Sequence, residues 1–530
     1  MWFEKVQLKI LRFSFDVIHA TSSVADQFEQ DCASLAAKQS FTITTIFFSQ
    51  YAAAGSNIIV QAMGPTTLKI PGNICRIGAY AATSNRSGIN FETWLPRNWT
   101  GSFVSHGNGG LSGSIDYSSL AYTSSNGFAA VSANSGHNGS SGITMYQNPD
   151  VVADFVWRSV HTGAVVGKEM TKAFYGRPHT KSYYLGYSTG GRQGWRAVQN
   201  NPEDFDGVVA RAPAFAFNNL TSWSGNFLHI TGPPGSSTFV SKTLWDEVIL
   251  KDIMKQCDSL DDFVDGIIED PSLCKYDPQS LLCKADQKSG CLTEPQVNTV
   301  RKTHSSLLQK DGSLIYPRMQ PGAEYGGLFG GRVFDTTKEW YRYVIKGDPK
   351  WDPATITLDD MALAANINPA NAETWEGDLS AFKARAGRVL HYHGLIDNLI
   401  SSDNSARYYG HVLKTLITTP AQLDEFYRYF RISGIGHCGG GPGAGAIGQG
   451  GNVPATSEPE SNVLKSTVRW VEEGKAPEYI LGTRFAGTGG SAKISFQRRH
   501  RKYPRRNQYK GTGDANKADS WQKCKLARGA

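Results

Sequence analysis

Short apolar runs alternate along the chain with longer stretches in which apolar residues recur at helical spacing. Within residues 152–174, valine, phenylalanine and methionine recur three or four positions apart, which predicts an amphipathic helix. The stretch ends at Gly176-Arg177-Pro178, and glycine followed by proline is typical of a helix terminus. Strands that alternate with such helices favour an α/β sheet. No run of about 18 apolar residues indicates a membrane-spanning segment.

One predicted strand-to-helix junction carries the turn Gly186-Tyr187-Ser188-Thr189-Gly190. It follows the apolar run 183–185 and precedes a helix-like stretch, 192–198, that stops at Asn201-Pro202. Gly-x-Ser-x-Gly between a strand and a helix is the nucleophile-elbow pattern, in which glycines permit a sharp turn that exposes the serine hydroxyl. We predict that Ser188 is a catalytic nucleophile, with an ordinary glycine turn as the alternative.

Hydrolases with this elbow place an acid and then a histidine later in the chain. Asp397 fits the acid, because it follows the strand-like run 387–393 and the loop that begins at Gly394. His437 fits the base, because it follows a second strand-like run, 430–435, and a glycine. A serine hydroxyl needs a histidine to take its proton and a carboxylate to orient that histidine. We therefore predict the triad Ser188, Asp397 and His437; a loop histidine is the alternative for His437.

Two further histidines, His391 and His393, lie on the strand that leads to Asp397. Side chains at i and i+2 share one face of a strand, so with Asp397 they also suggest a metal site. No matching set of ligands appears nearby in the sequence, and structural or pocket-lining histidines are the favoured interpretation.

Acyl transfer also needs hydrogen-bond donors for the oxyanion. The run 103–106 predicts a short strand that ends in the glycine loop His106-Gly107-Asn108-Gly109-Gly110, about 80 residues before the elbow. This loop is similar to the HGGG-type loop that supplies one backbone N–H in hydrolases, and the residue after the nucleophile supplies the other. We predict that the backbone N–H groups of Gly109 and Thr189 form the oxyanion hole.

Four motifs together resemble those of the fungal tannase/feruloyl esterase family of secreted carboxylic-ester hydrolases. They are Gly-Tyr-Ser-Thr-Gly-Gly-Arg-Gln-Gly (186–194), His-Gly-Asn-Gly-Gly (106–110), His-Gly-Leu-Ile-Asp (393–397) and Gly-His-Cys-Gly-Gly-Gly (436–441). The resemblance extends from about Cys32 to Cys524. It implies hydrolysis of phenolic esters of plant material by a Ser-Asp-His triad, beneath a large lid domain that binds calcium.

Three functions remain open on this basis. The first is a secreted serine esterase that cleaves hydroxycinnamate (feruloyl-type) esters of plant cell-wall polysaccharide through an acyl-enzyme. The second is a tannase that hydrolyses galloyl esters, because the two activities share this scaffold. The third, from another class, is a catalytically silent binding protein for wall phenolics.

The domain organisation follows from the distance between the motifs. Ser188 and Asp397 are 209 residues apart, more than the rest of a hydrolase sheet requires. We expect an α/β-hydrolase catalytic domain formed by 31–213 and 386–530, an inserted lid domain at 214–385, and an atypical leader or extension at 1–30. Aromatic residues mostly pack in cores, but four in the lid are candidates for an aromatic-acid pocket: Trp223, Trp245, Tyr341 and Tyr343.

An acidic loop in the expected lid is the candidate calcium site. The segment 257–268 contains several carboxylates and a glycine that tightens the turn, at a spacing that differs from an EF-hand. The family resemblance implies a structural Ca²⁺ bound by the side chains of Asp258, Asp261 and Asp265 and by the carbonyls of Phe263 and Ile267. A solvated acidic loop is the alternative.

Cysteine usage indicates the secretory route. The chain has eight cysteines, and it carries four N-x-S/T sequons, at Asn85, Asn98, Asn138 and Asn219. Three local pairs are expected: Cys32 with Cys75, Cys257 with Cys274, and Cys283 with Cys291. The first twenty residues are an unusual signal, because charged residues interrupt the apolar stretch at Lys5, Lys9, Arg12 and Asp16.

Two positions depart from the family pattern. Many members carry a cysteine immediately before the nucleophile, disulfide-bonded to the cysteine after the catalytic histidine; here these positions are Tyr187 and Cys438. Members also often have a cysteine near position 501 that pairs with the C-terminal one, and this chain has Arg501. Cys438 and Cys524 are therefore left over, and whether they pair with each other stays open.

The net charge of +7 comes from one short segment. Six lysine and arginine residues lie between positions 498 and 506, and without them 48 positive residues face 47 negative ones. The rest of the chain is nearly neutral, so we expect neither a nucleic-acid partner nor a general polyanion-binding role. A solvated surface is the favoured interpretation of the basic segment, with acidic wall polysaccharide as the alternative.

Overall fold

The structure is a computed structural model that describes residues 26–38, 41, 43–62, 64–448, 458–487 and 493–525. Of the leader or extension expected at 1–30, residues 1–25 lie outside the described ranges, and 27–30 form the start of the first helix. Within these ranges, no helix has the length and apolar character needed to cross a bilayer.

The strands carry the framework of the molecule. In chain order they are β1 (Thr44–Ala52), β2 (Asn57–Gln61), β3 (Pro65–Lys69), β4 (Ile74–Ala82), β5 (Gly88–Pro96), β6 (Ser102–His106), β7 (Ala129–Ala133), β8 (Lys181–Tyr187), β9 (Gly207–Arg211), β10 (Leu307–Leu308), β11 (Leu314–Tyr316), β12 (Arg388–Gly394), β13 (Tyr427–Ile432), β14 (Tyr479–Ala486), β15 (Lys493–Arg501), β16 (Arg505–Tyr509) and β17 (Trp521–Lys525).

Some of the α-helices cover the two faces of the largest sheet, and others lie in the segment 214–385. In chain order they are α1 (Gln27–Lys38), α2 (Tyr117–Ser125), α3 (Pro149–Ala153), α4 (Ser159–Tyr175), α5 (Thr189–Asn200), α6 (Phe217–Thr231), α7 (Lys242–Leu244), α8 (Leu250–Cys257), α9 (Glu294–Thr303), α10 (Asp335–Trp340), α11 (Leu358–Ile367), α12 (Ser380–Ala384), α13 (Ser402–Thr415), α14 (Pro420–Leu423) and α15 (Val463–Glu473).

The amphipathic helix predicted over 152–174 is confirmed, with one irregularity. Helices α3 and α4 are joined by a π-helical turn, Asp154–Arg158, so that the helical segment is continuous from 149 to 175. It ends at Gly176, whose left-handed backbone (φ 69°) closes the last turn as glycine commonly does.

A nine-stranded mixed sheet has the order β1-β4-β5-β7-β6-β8-β9-β12-β13. In this order, the neighbours β1, β4, β5 and β7 pair antiparallel. The neighbours β7, β6, β8, β9, β12 and β13 pair parallel. The predicted α/β fold is therefore confirmed. The four strands predicted beside the motifs are β6, β8, β12 and β13, and all four lie in its parallel part, so the loops after them meet at one sheet edge.

Side chains of the parallel strands alternate between two buried faces. Tyr184 and Val208 pack in one apolar cluster together with residues of α4, α5 and α13. Tyr183 and Val209, one position away on the same strands, pack in another cluster with residues of α2 and α15. Helices cover both faces, so these strands are buried on both sides, as is typical of parallel sheets.

Residues 214–385 build most of a third apolar cluster. Its largest members are the fully buried tryptophans at 223, 245 and 340, and it also takes in residues from 111–156 and Ile400. This segment consists of helices and two short strands, β10 and β11, which pair only with each other.

Three disulfide bonds join the cysteine pairs expected from the sequence: Cys32–Cys75, Cys257–Cys274 and Cys283–Cys291. The first links α1 to β4, and the other two lie within 214–385. Cys438 and Cys524 are both free thiols, so they do not pair with each other.

The strands after β13 pack against the acidic loop near 258–270. Arg498 of β15 is 2% exposed and pairs with Asp265, at 2.5 Å between Nη2 and Oδ2. Asn507 of β16 donates to Glu269 at 2.6 Å. The expectation of a solvated surface for the whole basic segment is therefore wrong at Arg498, because its charge is used inside the fold.

Candidate active site

Ser188 occupies the sharp turn between β8 and α5, as the elbow pattern predicts. Its backbone angles, φ 58° and ψ −124°, are strained for a residue with a side chain. Neighbouring contacts hold the turn, because the Ser188 N–H donates to the Arg211 carbonyl of β9 at 3.0 Å and its own carbonyl accepts from the N–H groups of Arg192 and Ala214. The serine hydroxyl is thus fixed at the carboxyl edge of the sheet.

Close backbone packing explains the two glycines that flank the serine. A Cβ at Gly186 would lie 2.5 Å from the Gly190 carbonyl oxygen, and one at Gly190 would lie 3.0 Å from the Asn108 carbonyl oxygen. A side chain at Gly186 would therefore press on the first turn of α5, and one at Gly190 would press on the 106–110 loop, against which the elbow packs directly.

The three predicted triad residues, which lie far apart in the sequence, form one hydrogen-bonded series. The Ser188 hydroxyl is 3.0 Å from Nε2 of His437, and Nδ1 of His437 is 2.7 Å from Oδ2 of Asp397. Asp397 is fully buried, whereas Ser188 and His437 are partly exposed. This arrangement can carry a proton from the serine to the imidazole while the carboxylate holds the ring.

The pKa values of Asp397 and His437 are shifted in opposite directions by their contact. Burial alone would raise the pKa of Asp397, but His437 and His393 hold it well below its ordinary value. Burial opposes the charged imidazolium, yet the Asp397 carboxylate outweighs it and raises the pKa of His437 well above its ordinary value. Because a general base must be neutral, activity of such a site rises with pH through the pKa of His437.

His391 and His393 have hydrogen-bond partners on all four ring nitrogens. These partners are Tyr427, Ser405 and Asp397, so the rings are bound within the fold. This supports structural histidines over metal ligands on β12.

The predicted oxyanion loop lies next to the nucleophile. Thr189 lines the cavity beside Ser188, and its hydroxyl donates to the Gly110 carbonyl at 2.9 Å. From the loop, Gly110 lines this cavity, one residue beyond the predicted Gly109. The part assigned to the N–H groups of Gly109 and Thr189 stays a prediction.

A cavity of about 130 Å³ adjoins Ser188 and His437. Its side chains are mostly apolar or hydroxylic, and none of its lining residues other than His437 is charged. Beyond Ser188, Thr189 and His437 the lining comprises Gly110, Ala214, Phe217, Leu220, Thr221, Ser224, Phe334, Thr336, Leu399 and Ile400.

The aromatic residues proposed for this pocket from the sequence are not the ones that line it. Trp223, Trp245 and Tyr341 are at most 2% exposed and pack in the core of 214–385, and Tyr343 contacts Tyr146 instead. The sequence reasoning missed the actual lining because it ranked residues by aromatic character. A better signal is position, since Phe217 follows β9 and Leu399 follows Asp397, both just past a strand of the parallel sheet.

A larger groove, of about 810 Å³, lies elsewhere, around α13. Trp375, Arg407 and Tyr503 line it, and none of its lining residues belongs to the predicted triad. The smaller cavity is therefore the candidate active site, because Ser188 and His437 line it and do not line the larger groove.

Tyr187 and Cys438 are neighbours at the mouth of the site. The charge of Asp116, burial and Cys438 together raise the pKa of Tyr187. Tyr187 is 37% exposed and Cys438 is a partly exposed free thiol. The serine and histidine loops are thus adjacent at these positions without a covalent link between them.

The acidic loop has buried oxygens suited to a cation. Burial and the neighbouring carboxylates, led by Glu269, raise the pKa of Asp261 to about 8. Oδ2 of Asp261 and Oε2 of Glu269 are buried without a hydrogen-bond partner. Asp258 accepts the backbone N–H groups of Gly266 and Ile267, at 2.8 and 3.1 Å, which fixes its position in the loop.

Another cluster of carboxylates also needs to be weighed as a metal site. In the acidic loop Asp265 is paired with Arg498, and a cluster of histidine and carboxylate ligand atoms in the described residues lies elsewhere. That cluster is His161, Glu203 and Asp204, whose ligand atoms lie within 4.8 Å of one another. Lys168 donates to the Asp204 backbone there, and His161 pairs with the Asp204 carboxylate at 2.9 Å, so an ion pair accounts for it.

Comparisons with known proteins agree with these features. The sequence profile of the family described as "Tannase and feruloyl esterase" matches residues 75–350 and 370–524. "Feruloyl esterase C" of Talaromyces stipitatus is 47% identical over 525 residues, 98% of each chain. "Probable feruloyl esterase B-2" of Aspergillus terreus is 48% identical over 505 residues, 94% of this chain and 95% of that protein. The crystal structure of feruloyl esterase B from Aspergillus oryzae is 46% identical and superposes with a TM-score of 0.91, covering 94% of this chain and 100% of that one.

Proposed function

The chain belongs to the tannase and feruloyl esterase family and is a carboxylic-ester hydrolase, and from this premise we propose that it cleaves hydroxycinnamate (feruloyl-type) esters with Ser188 as nucleophile. The observation that carries the proposal is the hydrogen-bonded series from Ser188 through His437 to Asp397 beside a cavity. Its relatives named feruloyl esterase support the substrate class.

The reaction follows from the positions of these groups. Ser188 Oγ attacks the ester carbonyl carbon while Nε2 of His437 accepts the hydroxyl proton. The oxyanion is stabilised by the backbone N–H groups of Gly109 and Thr189, and each such donor contributes about 2.7–4 kcal/mol. The intermediate expels the alcohol, which takes the proton from His437 and leaves an acyl-enzyme. Water, deprotonated by His437, then releases the free acid and restores Ser188.

The cavity favours a hydroxycinnamate over a galloyl group. Its walls are apolar at Phe217, Phe334 and Leu399, which suits an extended aromatic acid. The hydroxyls of Thr221 and Ser224 already donate to the helix carbonyls of Asn218 and Leu220, at 3.0 and 2.9 Å, and so offer only acceptor lone pairs. A ferulate ring brings one phenolic O–H donor, whereas a gallate ring brings three that need partners.

We therefore expect at least about 10-fold higher kcat/KM for methyl ferulate than for methyl gallate, because unpaired polar groups are costly in an apolar pocket. Initial rates on methyl ferulate, methyl caffeate and methyl gallate, measured side by side, provide the check. A preference for methyl gallate contradicts the assignment and favours a tannase. Activity on none of the three contradicts both enzymes and leaves the silent binding protein.

We further propose that 31–213 and 386–530 form an α/β-hydrolase catalytic domain and that 214–385 is a lid over its site. The lid is supported by the cavity lining, because seven of its residues come from this segment: Ala214, Phe217, Leu220, Thr221, Ser224, Phe334 and Thr336. The separate apolar cluster of 214–385 also supports a domain with its own core.

Secretion is proposed as well. Three disulfides support it, because such bonds persist in oxidising compartments. Asn85, Asn98 and Asn138 are exposed and available to glycosylation, whereas Asn219 lies half-buried in α6. The proposed natural substrate is a phenolic acid esterified to plant cell-wall polysaccharide.

A structural Ca²⁺ in the acidic loop is also proposed, and the residues fit it. Oδ2 of Asp261 is buried without a hydrogen-bond partner, which a cation would satisfy, and Ca²⁺ prefers carboxylate and carbonyl oxygens. The side chains of Asp258, Asp261 and Asp265 and the carbonyls of Phe263 and Ile267 would hold it. When bound, Ca²⁺ supplies charge neutralisation to this loop.

Asp261→Asn is expected to abolish binding of one Ca²⁺ per chain, because it removes the central charge of the ligand set. Metal analysis after dialysis measures the content, and calorimetry measures the gain in Tm on adding Ca²⁺. Saturation at 100 times Kd stabilises a folded protein by about 2.7 kcal/mol, a gain that the variant lacks. Glu203→Gln, in the other acidic cluster, is the matched control. Unchanged metal content in Asp261→Asn contradicts the site.

A further inference from the structure

A continuous series of buried hydrogen bonds leads from Tyr427 to Asp397 through the two histidines of β12. Tyr427 OH is 2.9 Å from Nδ1 of His391, and Nε2 of His391 is 3.0 Å from the Ser405 hydroxyl. The Ser405 hydroxyl is 2.7 Å from Nδ1 of His393, and Nε2 of His393 is 3.1 Å from Oδ2 of Asp397. All five side chains are at most 1% exposed, so the series is shielded from water.

Asp397 fixes the direction of these bonds. An ionised carboxylate only accepts, so Nε2 of His393 carries a proton and donates it. In a neutral ring Nδ1 of His393 must then accept, so Ser405 donates to it and in turn accepts from Nε2–H of His391. His391 Nδ1 accepts from the hydroxyl of Tyr427. Burial and the adjacent His393 hold the pKa of His391 well below its ordinary value, consistent with this neutral form.

Four donors thereby saturate the carboxylate. Oδ1 accepts the backbone N–H groups of Leu399 and Ile400, both at 2.8 Å. Oδ2 accepts from His437 and from His393, at 2.7 and 3.1 Å. A carboxylate has about four lone-pair sites, so this one has no spare acceptor and no freedom to rotate.

We propose that His393 is a positioning residue of the active site, a second histidine that shares Oδ2 of Asp397 with the base His437. This rests on the proposed function of the triad. His393 fixes the oxygen that faces His437, and as a donor to Oδ2 it disperses the negative charge of Asp397.

Other groups also face this carboxylate and the base. One of these groups is Tyr316, which belongs to the segment 214–385. Burial, and then the nearby charge of Asp397, raise the pKa of its phenol. Cys438 adjoins His437, and Ser188 contacts it. Among these, His393 is the group that donates directly to Asp397 from a strand of the central sheet.

His393→Phe is the diagnostic variant, because it keeps a buried ring and removes the donor. We expect kcat on methyl ferulate to fall about 10- to 100-fold, the range of one hydrogen bond to a charged group. Without the donor, Asp397 attracts the imidazolium more strongly and raises the pKa of His437. The acidic limb of the rate profile therefore moves to higher pH. In His393→Gln the amide NH₂ takes the place of Nε2–H, and both kcat and the acidic limb return toward wild type.

The controls separate positioning from packing. His500 is also fully buried and bonds through Nε2 to an uncharged acceptor, the Ala444 carbonyl, at 2.8 Å. His500→Gln is expected to lower Tm without moving the acidic limb. Ser405→Ala is a smaller change than His393→Phe and is expected to fold more readily. It removes the hydroxyl that fixes the tautomer of His393, so the acidic limb is expected to move to higher pH by less than in His393→Phe.

Titration of His437 by NMR reads the same effect without turnover, so the test survives even if methyl ferulate proves to be the wrong substrate. A wild type that does not hydrolyse the ester contradicts the proposed function alone. An acidic limb and a His437 titration that stay in place in His393→Phe overturn the positioning role. Equal losses of kcat in the Phe and Gln variants overturn it as well.

Discussion

Replacing Ser188 by alanine is expected to lower kcat on methyl ferulate by about a millionfold, the loss seen when a serine nucleophile of this type is removed. Of the other hydroxyls that line the cavity, those of Thr221 and Ser224 donate to helix carbonyls and that of Thr189 donates to Gly110, whereas the Ser188 hydroxyl is the one within hydrogen-bond distance of Nε2 of His437. Alanine is no more strained than serine in this turn. The free energy of unfolding is therefore expected to change by less than about 0.5 kcal/mol.

Initial rates and covalent labelling check this prediction together. A fluorophosphonate should add one mass increment to the wild type on the peptide containing Ser188 and none to the variant. Ser125→Ala, an exposed serine of α2, is the matched control and should keep full activity. A Ser188→Ala enzyme with more than a hundredth of wild-type kcat would exclude this serine as the nucleophile.

Asp397→Asn is expected to lower kcat by about 10⁴-fold, because the carboxylate faces donors on both oxygens. Oδ1 meets the N–H groups of Leu399 and Ile400, and Oδ2 meets His393 and His437. The amide NH₂ of asparagine must therefore oppose a donor in either orientation. Toward Oδ2 it forces His437 into the wrong tautomer, and toward Oδ1 it leaves buried backbone donors unpaired.

The same variant should lose stability, by about 1–3 kcal/mol, since a buried donor is left without an acceptor. Rates across pH and calorimetry measure the two effects. Asp335→Asn, an exposed aspartate that pairs with Lys338, is the control for the charge change. An Asp397→Asn enzyme within 10-fold of wild-type kcat would mean that another group orients His437.

The sequence was most informative where local chemistry determines local structure. The elbow could be predicted because an apolar run, a glycine turn and a helix-like stretch follow one another directly from 183 to 198. Asp397 and His437 could be singled out because each follows an apolar run typical of a buried strand, and the structure brings both side chains together with Ser188. These predictions needed chain order and no knowledge of distances.

The pocket could not be predicted in the same way, because burial depends on contacts between distant segments. Trp223 and Tyr341 have the character of ligand-binding residues, yet they pack in the core of 214–385. Arg498 belongs to a basic run that suggests a solvated surface, yet it meets Asp265, 233 residues earlier. The role of His393 was equally out of reach, since it depends on Ser405 and Tyr427 lying on neighbouring elements.

The order of strands in the central sheet also sets the order in which the molecule can be assembled. Strand β9 can pair with β8 on one side as soon as both are synthesised. Its partner on the other side, β12, follows about 180 residues later in the chain. During synthesis this apolar strand is an unpaired edge, and such edges promote aggregation. Ser188 is made early and His437 late, so under the proposed mechanism a nascent chain carries the proposed nucleophile for a long interval before its proposed base is made. Premature release of the chain before β12 and β13 would leave a folding intermediate with an open sheet and no activity.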